Sequence, residues 1–222
     1  VLRPLRSSFE RYGEVFVSLG VSFVPNFVSL YDEGVGDEGL YSELTPPKSS
    51  GERWIGVAPF AKHKGKIYPL DRMEKVVSKL SEESRVKIFL FGSGDREREI
   101  LSLWRERYPG VISLADKRYG FAVELSLMSR LDVMISMDSA NMHLASLVEV
   151  PVVSVWGATH PYCGFLGWRQ SDSGVVELPL DCRPCSVFGN KPCYRKDYAC
   201  LEIAPETIVD RVKSLETLIK EK

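Results

Sequence analysis

From Trp54 to Trp156 the chain repeats one pattern: an apolar run of strand length, a polar loop, then a segment with apolar residues at helical spacing. The strand-like runs are Trp54 to Ala58, Val86 to Phe91, Val111 to Leu114, Val133 to Met137 and Val152 to Trp156. Between them the spacing predicts helices over Asp71 to Leu80, Asp95 to Arg107, Phe121 to Leu131 and Asn141 to Leu147. Strands that are apolar throughout are buried on both faces, and a helix after each strand carries the chain back for another parallel strand. The pattern therefore predicts an α/β protein with a doubly wound parallel sheet, whose ligand loops gather at the carboxyl edge of the strands.

The flanks differ from this core. Ser8 to Leu19 sets Phe9, Tyr12, Val15, Phe16 and Leu19 on one helical face, with Gly20 as the stop. Residues 25–51 are rich in Gly, Pro, Ser and acids and read as a linker, so the expected organisation is a helix within 1–24, a linker over 25–51 and one domain over 52–222. Asp32, Glu33, Asp37 and Glu38 in the linker read as a solvated acidic loop rather than a catalytic pair. Pro205 to Lys220 reads as a terminal helix, Pro at its start and Ile208, Val209, Val212, Leu215 and Leu218 on one face. A first residue of Val rather than Met reads as a chain whose N-terminal portion is absent.

Composition narrows function mainly by exclusion. Lys plus Arg number 29 against 30 for Asp plus Glu in 222 residues, so no global nucleic-acid surface is expected and any anion site must be local. No apolar run reaches the length of a transmembrane helix.

The strand-end loops carry the chemistry. After Ala58 come Lys62, His63, Lys64 and Lys66 around Gly65, a basic cluster suited to a diphosphate or equally a solvated loop. After Phe91, Gly92 and Gly94 permit close backbone approach, Asp95 is placed to cap the next helix, and Glu97 can accept hydrogen bonds from ribose hydroxyls. The third glycine of the dinucleotide fingerprint is missing, which disfavours a nicotinamide enzyme. After Met137, Asp138, Ser139 and Ala140 turn the chain into a helix that carries His143 on its first turn; the bland reading is a capped helix with an ordinary half-buried histidine. After Trp156 comes a Gly- and aromatic-rich loop with Gly157 and Thr159. Together these loops predict a nucleotide-diphosphate site.

Lys66-x-Tyr68-Pro69, GSGDRE at 92–97, MDSANMHLA at 137–145 and VSVWGATHP at 153–161 resemble glycosyltransferase family 9, the ADP-heptose:lipopolysaccharide heptosyltransferases and their relatives. The resemblance runs from Trp54 to the C-terminus and implies the C-terminal, Rossmann-like domain of a two-domain GT-B fold. It further implies that Lys66 binds the nucleotide diphosphate and Glu97 the ribose. Ser139 and Ala140 would present backbone N–H groups to the phosphates, Asp138 would hold donor-sugar hydroxyls, and His143 would complete the pocket. Lys62, Lys64, Gly92, Gly94, Gly157 and Thr159 are further candidates for donor-loop contacts. The implied donor is an ADP-sugar, with ADP-heptose foremost, and the implied acceptor is lipopolysaccharide or a related glycolipid. In the family the general base is a carboxylate of the N-terminal acceptor domain, to which the helix within 1–24 would belong, so no catalytic residue is identifiable here. The implied location is cytoplasmic, compatible with peripheral attachment at the inner face of the inner membrane. Ala140 stands where the family has Gly, and Tyr68 where Trp is commoner.

Cys182, Cys185, Cys193 and Cys200 fall close together, with Cys163 apart. The first pair has metal-ligand spacing, so a structural zinc stands beside free thiols and a disulfide as the states these residues allow. No cofactor is required by the implied chemistry. Two other readings compete with the transferase: a GT-B nucleotide-sugar epimerase, and a non-catalytic nucleotide-sugar-binding or zinc-stabilised interaction module.

Overall fold

In the computed structural model, which describes residues 3–220, strand β1 (Arg53–Ala58) lies inside a six-stranded sheet. Its fellows are β2 (Val86–Leu90), β3 (Val111–Ser113), β4 (Val133–Met137), β5 (Val152–Trp156) and β6 (Val175–Glu177), in the order β3-β2-β1-β4-β5-β6. Every pairing is parallel. Residues 1, 2, 221 and 222, which the expected domains include, lie outside the described residues.

Alternation along the strands builds two cores. Ile55 and Val57 of β1, Ile135 and Met137 of β4, and Val153 and Val155 of β5 enter one core; Trp54, Ala58, Met134, Val152 and Trp156 enter the other. Helices α2 (Leu70–Ser81), α3 (Asp95–Arg107) and α6 (Pro205–Lys220) cover the first face. Helices α4 (Phe121–Met128) and α5 (Ala140–Leu147) cover the second. Each fully buried aliphatic side chain contributes roughly 1.5–3 kcal/mol, more than a solvent-exposed ion pair supplies.

The differences from the sequence reading have local causes. β6 is three residues long and has no periodicity to reveal it. Helix α4 stops at Met128 rather than Leu131, because the Ser129 hydroxyl donates to the Ser126 carbonyl and accepts from Gly36 N–H. Asp95 does not cap α3: the cap position is Gly94, at φ 87°, and the Asp95 carboxylate pairs with Arg98 instead. Leu218 is exposed rather than buried, as the end of α6 runs past the core.

Helix α1 (Ser8–Ser18) begins with a capping box between Ser7 and Glu10 and buries none of its residues. It touches the domain at its start, where Ser8 N–H donates to the Gly164 carbonyl and Phe9 meets the Trp168 ring edge-on at 5.0 Å. Tyr12, Val15, Phe16 and Leu19 face solvent. Within 25–51 the only regular element is a 3-10 turn at Glu38–Tyr41, yet Tyr41 is fully buried against Trp54 and Thr45 is buried as well. The segment read from composition as linker thus completes the second core.

Candidate functional site

The strand order reverses between β1 and β4, the position where open α/β sheets bind ligands. The residues after β1 and β4 meet there. Lys66 Nζ lies 2.8 Å from Asp138 Oδ2, and both side chains are largely withdrawn from water. Thr159, fully buried after β5, donates its hydroxyl to the same Asp138 oxygen at 2.7 Å.

The backbone makes this convergence possible. Ala158 N–H donates to the Gly65 carbonyl at 2.8 Å, so the loops after β1 and β5 touch across the end of β4. A Cβ on Gly157 would collide with that Gly65 oxygen and with Leu201, which explains why no larger residue stands there. The loop 157–159 is fixed from behind by Arg183, whose buried guanidinium donates to the carbonyls of Trp156, Gly157, Thr159 and Leu178 and to Glu177 Oε2. Gly189, at φ 70°, lies against the Lys66 stem, where a Cβ would sit 2.7 Å from Lys66 Cγ.

Helix α5 starts immediately beyond Asp138. Ser139 occupies the cap position but its side chain makes no capping hydrogen bond; its hydroxyl is 3.3 Å from that of Ser136. The Asp138 carboxylate is likewise committed elsewhere, so the first turn of α5 presents its N–H groups and positive dipole end to the cavity in front of it. His143 is half-buried on this turn. Burial holds its pKa below the ordinary histidine value, with Asp138 opposing and Lys66 reinforcing the shift.

The cavity has a volume of about 780 Å³, a size suited to a nucleotide-sized ligand. Of the expected residues, Lys62, Lys66, Gly92, Glu97, Asp138, Ser139, Ala140 and His143 line it. Glu97 is already oriented by Ser93 N–H, which donates to Oε2 at 2.8 Å. The other candidates fall elsewhere. Lys64 is turned to the far side, over the Tyr198 ring at 5.1 Å, because the 3-10 turn at Lys64–Lys66 points alternate lysines apart. Gly94 lies back from the wall as the α3 cap, and Gly157 and Thr159 sit behind Asp138 as its support. The sequence reading singled out the aromatic-rich loop that holds Phe165 but missed the other aromatic residues of the wall, Phe60, Phe91, Phe121 and Phe188, together with Glu124. Nothing in their spacing separates them from core or loop residues.

The zinc expectation does not fit the arrangement. Among the described residues no group of three or more His, Cys, Asp or Glu is placed to hold a metal, and all five cysteines are free. Cys185 Sγ lies 3.6 Å from the Cys182 carbonyl and Cys193 Sγ 3.9 Å from Asp197, although Cys182, Cys185, Cys193 and Cys200 stand near enough to one another for their charges to interact.

A family model described as glycosyltransferase family 9 (heptosyltransferase) matches residues 37–193. Lipooligosaccharide heptosyltransferase 2 of Campylobacter jejuni subsp. jejuni serotype O:6 (strain 81116 / NCTC 11828) is 25% identical over 172 residues, which are 76% of this chain and 53% of that protein. The chain therefore spans about half the length of the curated relatives it matches. Among solved structures, E. coli ADP-heptose lps heptosyltransferase II superposes with a TM-score of 0.69 at 19% identity, covering 100% of this chain and 66% of that one. E. coli heptosyltransferase WaaC with ADP superposes with a TM-score of 0.65 at 17% identity, covering 96% and 58%. At these identities the structural likeness shows the fold.

Proposed function

The chain belongs to glycosyltransferase family 9, with the doubly wound sheet of a GT-B C-terminal domain, and from that premise we propose that it is the donor-binding part of an inverting glycosyltransferase. The donor is an ADP-sugar, with ADP-heptose foremost, and the acceptor is lipopolysaccharide core or a related envelope glycolipid. The observation that carries this reading is the Lys66–Asp138 pair at the uncapped start of α5, facing a nucleotide-sized cavity at the strand-order reversal. A diphosphate seated there receives N–H groups from Ser139 and Ala140 and a charge-assisted contact from Lys66. Those groups neutralise the charge that builds on the diphosphate as it leaves, without covalent attachment to the protein. Asp138, fixed by Lys66 and Thr159, is placed to accept hydrogen bonds from sugar hydroxyls, and Glu97 from ribose. The general base that deprotonates the acceptor hydroxyl is assigned to an acceptor domain outside 52–222, with α1 as part of that domain. The relatives named with ADP-heptose and with ADP support the donor class. The epimerase and the non-catalytic module are not favoured by the family match. The proposed place of action is the cytoplasmic face of the inner membrane; no helix of the described residues is long and apolar enough to cross a membrane.

Ligand-linked stabilisation tests this. Excess ADP should raise the melting temperature of this chain by mass action, more than the same concentration of free sugar, and Lys66→Ala should abolish most of the shift. The 222-residue chain should transfer no sugar to lipopolysaccharide by itself. An unchanged melt with ADP, or measurable transfer by this chain, would refute the assignment.

A further inference from the structure

Three acidic side chains line the cavity, and two of them are engaged: Asp138 by Lys66 and Thr159, Glu97 by Ser93 N–H. The third, Glu124, is half-buried on the first turn of α4. Among the described residues its carboxylate has no hydrogen-bond or ion-pair partner. Withdrawal from water pushes its pKa up, and no cation stands near enough to oppose the shift. A half-buried carboxylate on a cavity wall keeps only part of its hydration, so a ligand that brings a donor there offers it a partner that the chain does not.

Strand order tells which part of a nucleotide arrives there. Passing along the sheet from β4 through β1 and β2 to β3, the carboxyl edge presents first the Asp138 turn, then Lys66, then Gly92 with Glu97, and last the loop that enters α4. A nucleotide with its diphosphate on α5 and its ribose on Glu97 directs its base onward to α4. The wall there includes the exposed ring of Phe121, one turn before Glu124 on the same helix. Flat aromatic surface beside a lone acceptor suits a heteroaromatic ring with an N–H edge.

Resting on the donor reading above, we propose that Glu124 determines the base: its carboxylate accepts a hydrogen bond from the exocyclic amino group of adenine. A carboxylate is an acceptor only, so hypoxanthine, which carries a carbonyl oxygen in place of that amine, sets acceptor against acceptor. Discrimination of this kind is strong because the rejected base leaves a desolvated group unpaired.

Calorimetric titration of this chain with ADP and with inosine diphosphate tests the assignment. The parent should bind ADP at least about tenfold tighter than inosine diphosphate. Glu124→Ala should bring the ratio close to one, and Glu124→Gln should narrow it, since an amide donates to the hypoxanthine oxygen as readily as it accepts from the adenine amine. Equal affinity of the parent for the two nucleotides, or a preference that survives in Glu124→Ala, overturns the role of Glu124 while leaving the donor site standing. Failure of the folded parent to bind either nucleotide overturns both. Lys66→Ala separates the two readings from the other side, because it should weaken both nucleotides by the same factor and leave their ratio intact.

Discussion

Thr159 donates its hydroxyl to Asp138 Oδ2 at 2.7 Å from a position of complete burial, so the acidic side chain that faces the cavity is aimed from the next strand over. Thr159→Val keeps the shape and removes the hydrogen bond. It should cost about 1.5–3 kcal/mol of stability, the range for a buried hydrogen bond to a charged group, and should weaken ADP-sugar binding more than ADP binding, because Asp138 is assigned to the sugar. Urea unfolding and paired titrations measure both; equal losses for ADP and ADP-sugar would detach Asp138 from the sugar.

The second prediction concerns pH. Burial depresses the His143 pKa in the fold, so between that value and 6.5 the unfolded chain binds more protons than the folded one. His143 therefore supports stability above 6.5 and the support is lost as pH falls through that range. A bound diphosphate reverses the local balance by favouring imidazolium. Affinity for ADP should accordingly rise on moving from about pH 7.5 to about pH 6, by more in the parent than in His143→Gln. The ligand's own phosphate titration is common to both proteins, so the difference between the two pH profiles reads His143 alone. Parallel profiles would remove it from the site.

Arg183 is the third test. Its guanidinium satisfies the Trp156, Gly157, Thr159 and Leu178 carbonyls and Glu177 at once. Arg183→Leu leaves these acceptors buried without partners and should cost about 3–5 kcal/mol, as breaking a buried charged network does. Arg183→Lys should recover only part of the loss, since a compact ammonium cannot span the same acceptors. Denaturant midpoints decide; a change under 1 kcal/mol in Arg183→Leu would show that the loop 157–159 holds its shape unaided.

The thiols supply a fourth. Cys163, Cys193 and Cys200 are buried, and burial pushes the Cys200 thiol up to about 11. Cys182 and Cys185 are partly exposed. Under native conditions at neutral pH a labelling reagent should modify Cys182 and Cys185 first and all five only after denaturation. Protection of Cys182 and Cys185 that a chelator relieves would show that the thiols close on a metal after all.

Much of this was readable from sequence, and the reasons differ by element. The strands from Trp54 to Trp156 announce themselves because each is apolar on both faces and followed by a helical period. Lys66, Glu97 and Asp138 were legible as residues at the cavity because they lie in the segments that leave the carboxyl ends of strands, the edge that faces a ligand in such a sheet. Arg183 was not, since it lies between Cys182 and Cys185 and the spacing of those cysteines draws attention to metal rather than to the residue they flank. Tyr41 was hidden by its polar neighbours. Glu124 was hidden by its helix: an acid in a first turn is ordinarily a dipole partner facing water, and only the three-dimensional wall shows it without one.

Strand order also governs how the chain is completed on the ribosome. β1 can pair with β2 soon after both emerge, but its other edge stays open until β4 has been made, and the face formed by Ile135, Val153 and Val155 is sealed only when α6 folds down beside α2. A nascent chain halted before Pro205 therefore carries every residue assigned to the proposed pocket and still displays raw core to solvent, as bait for chaperones and proteases. A premature stop in that interval would yield an unfinished domain destined for clearance, even though none of the pocket residues is missing.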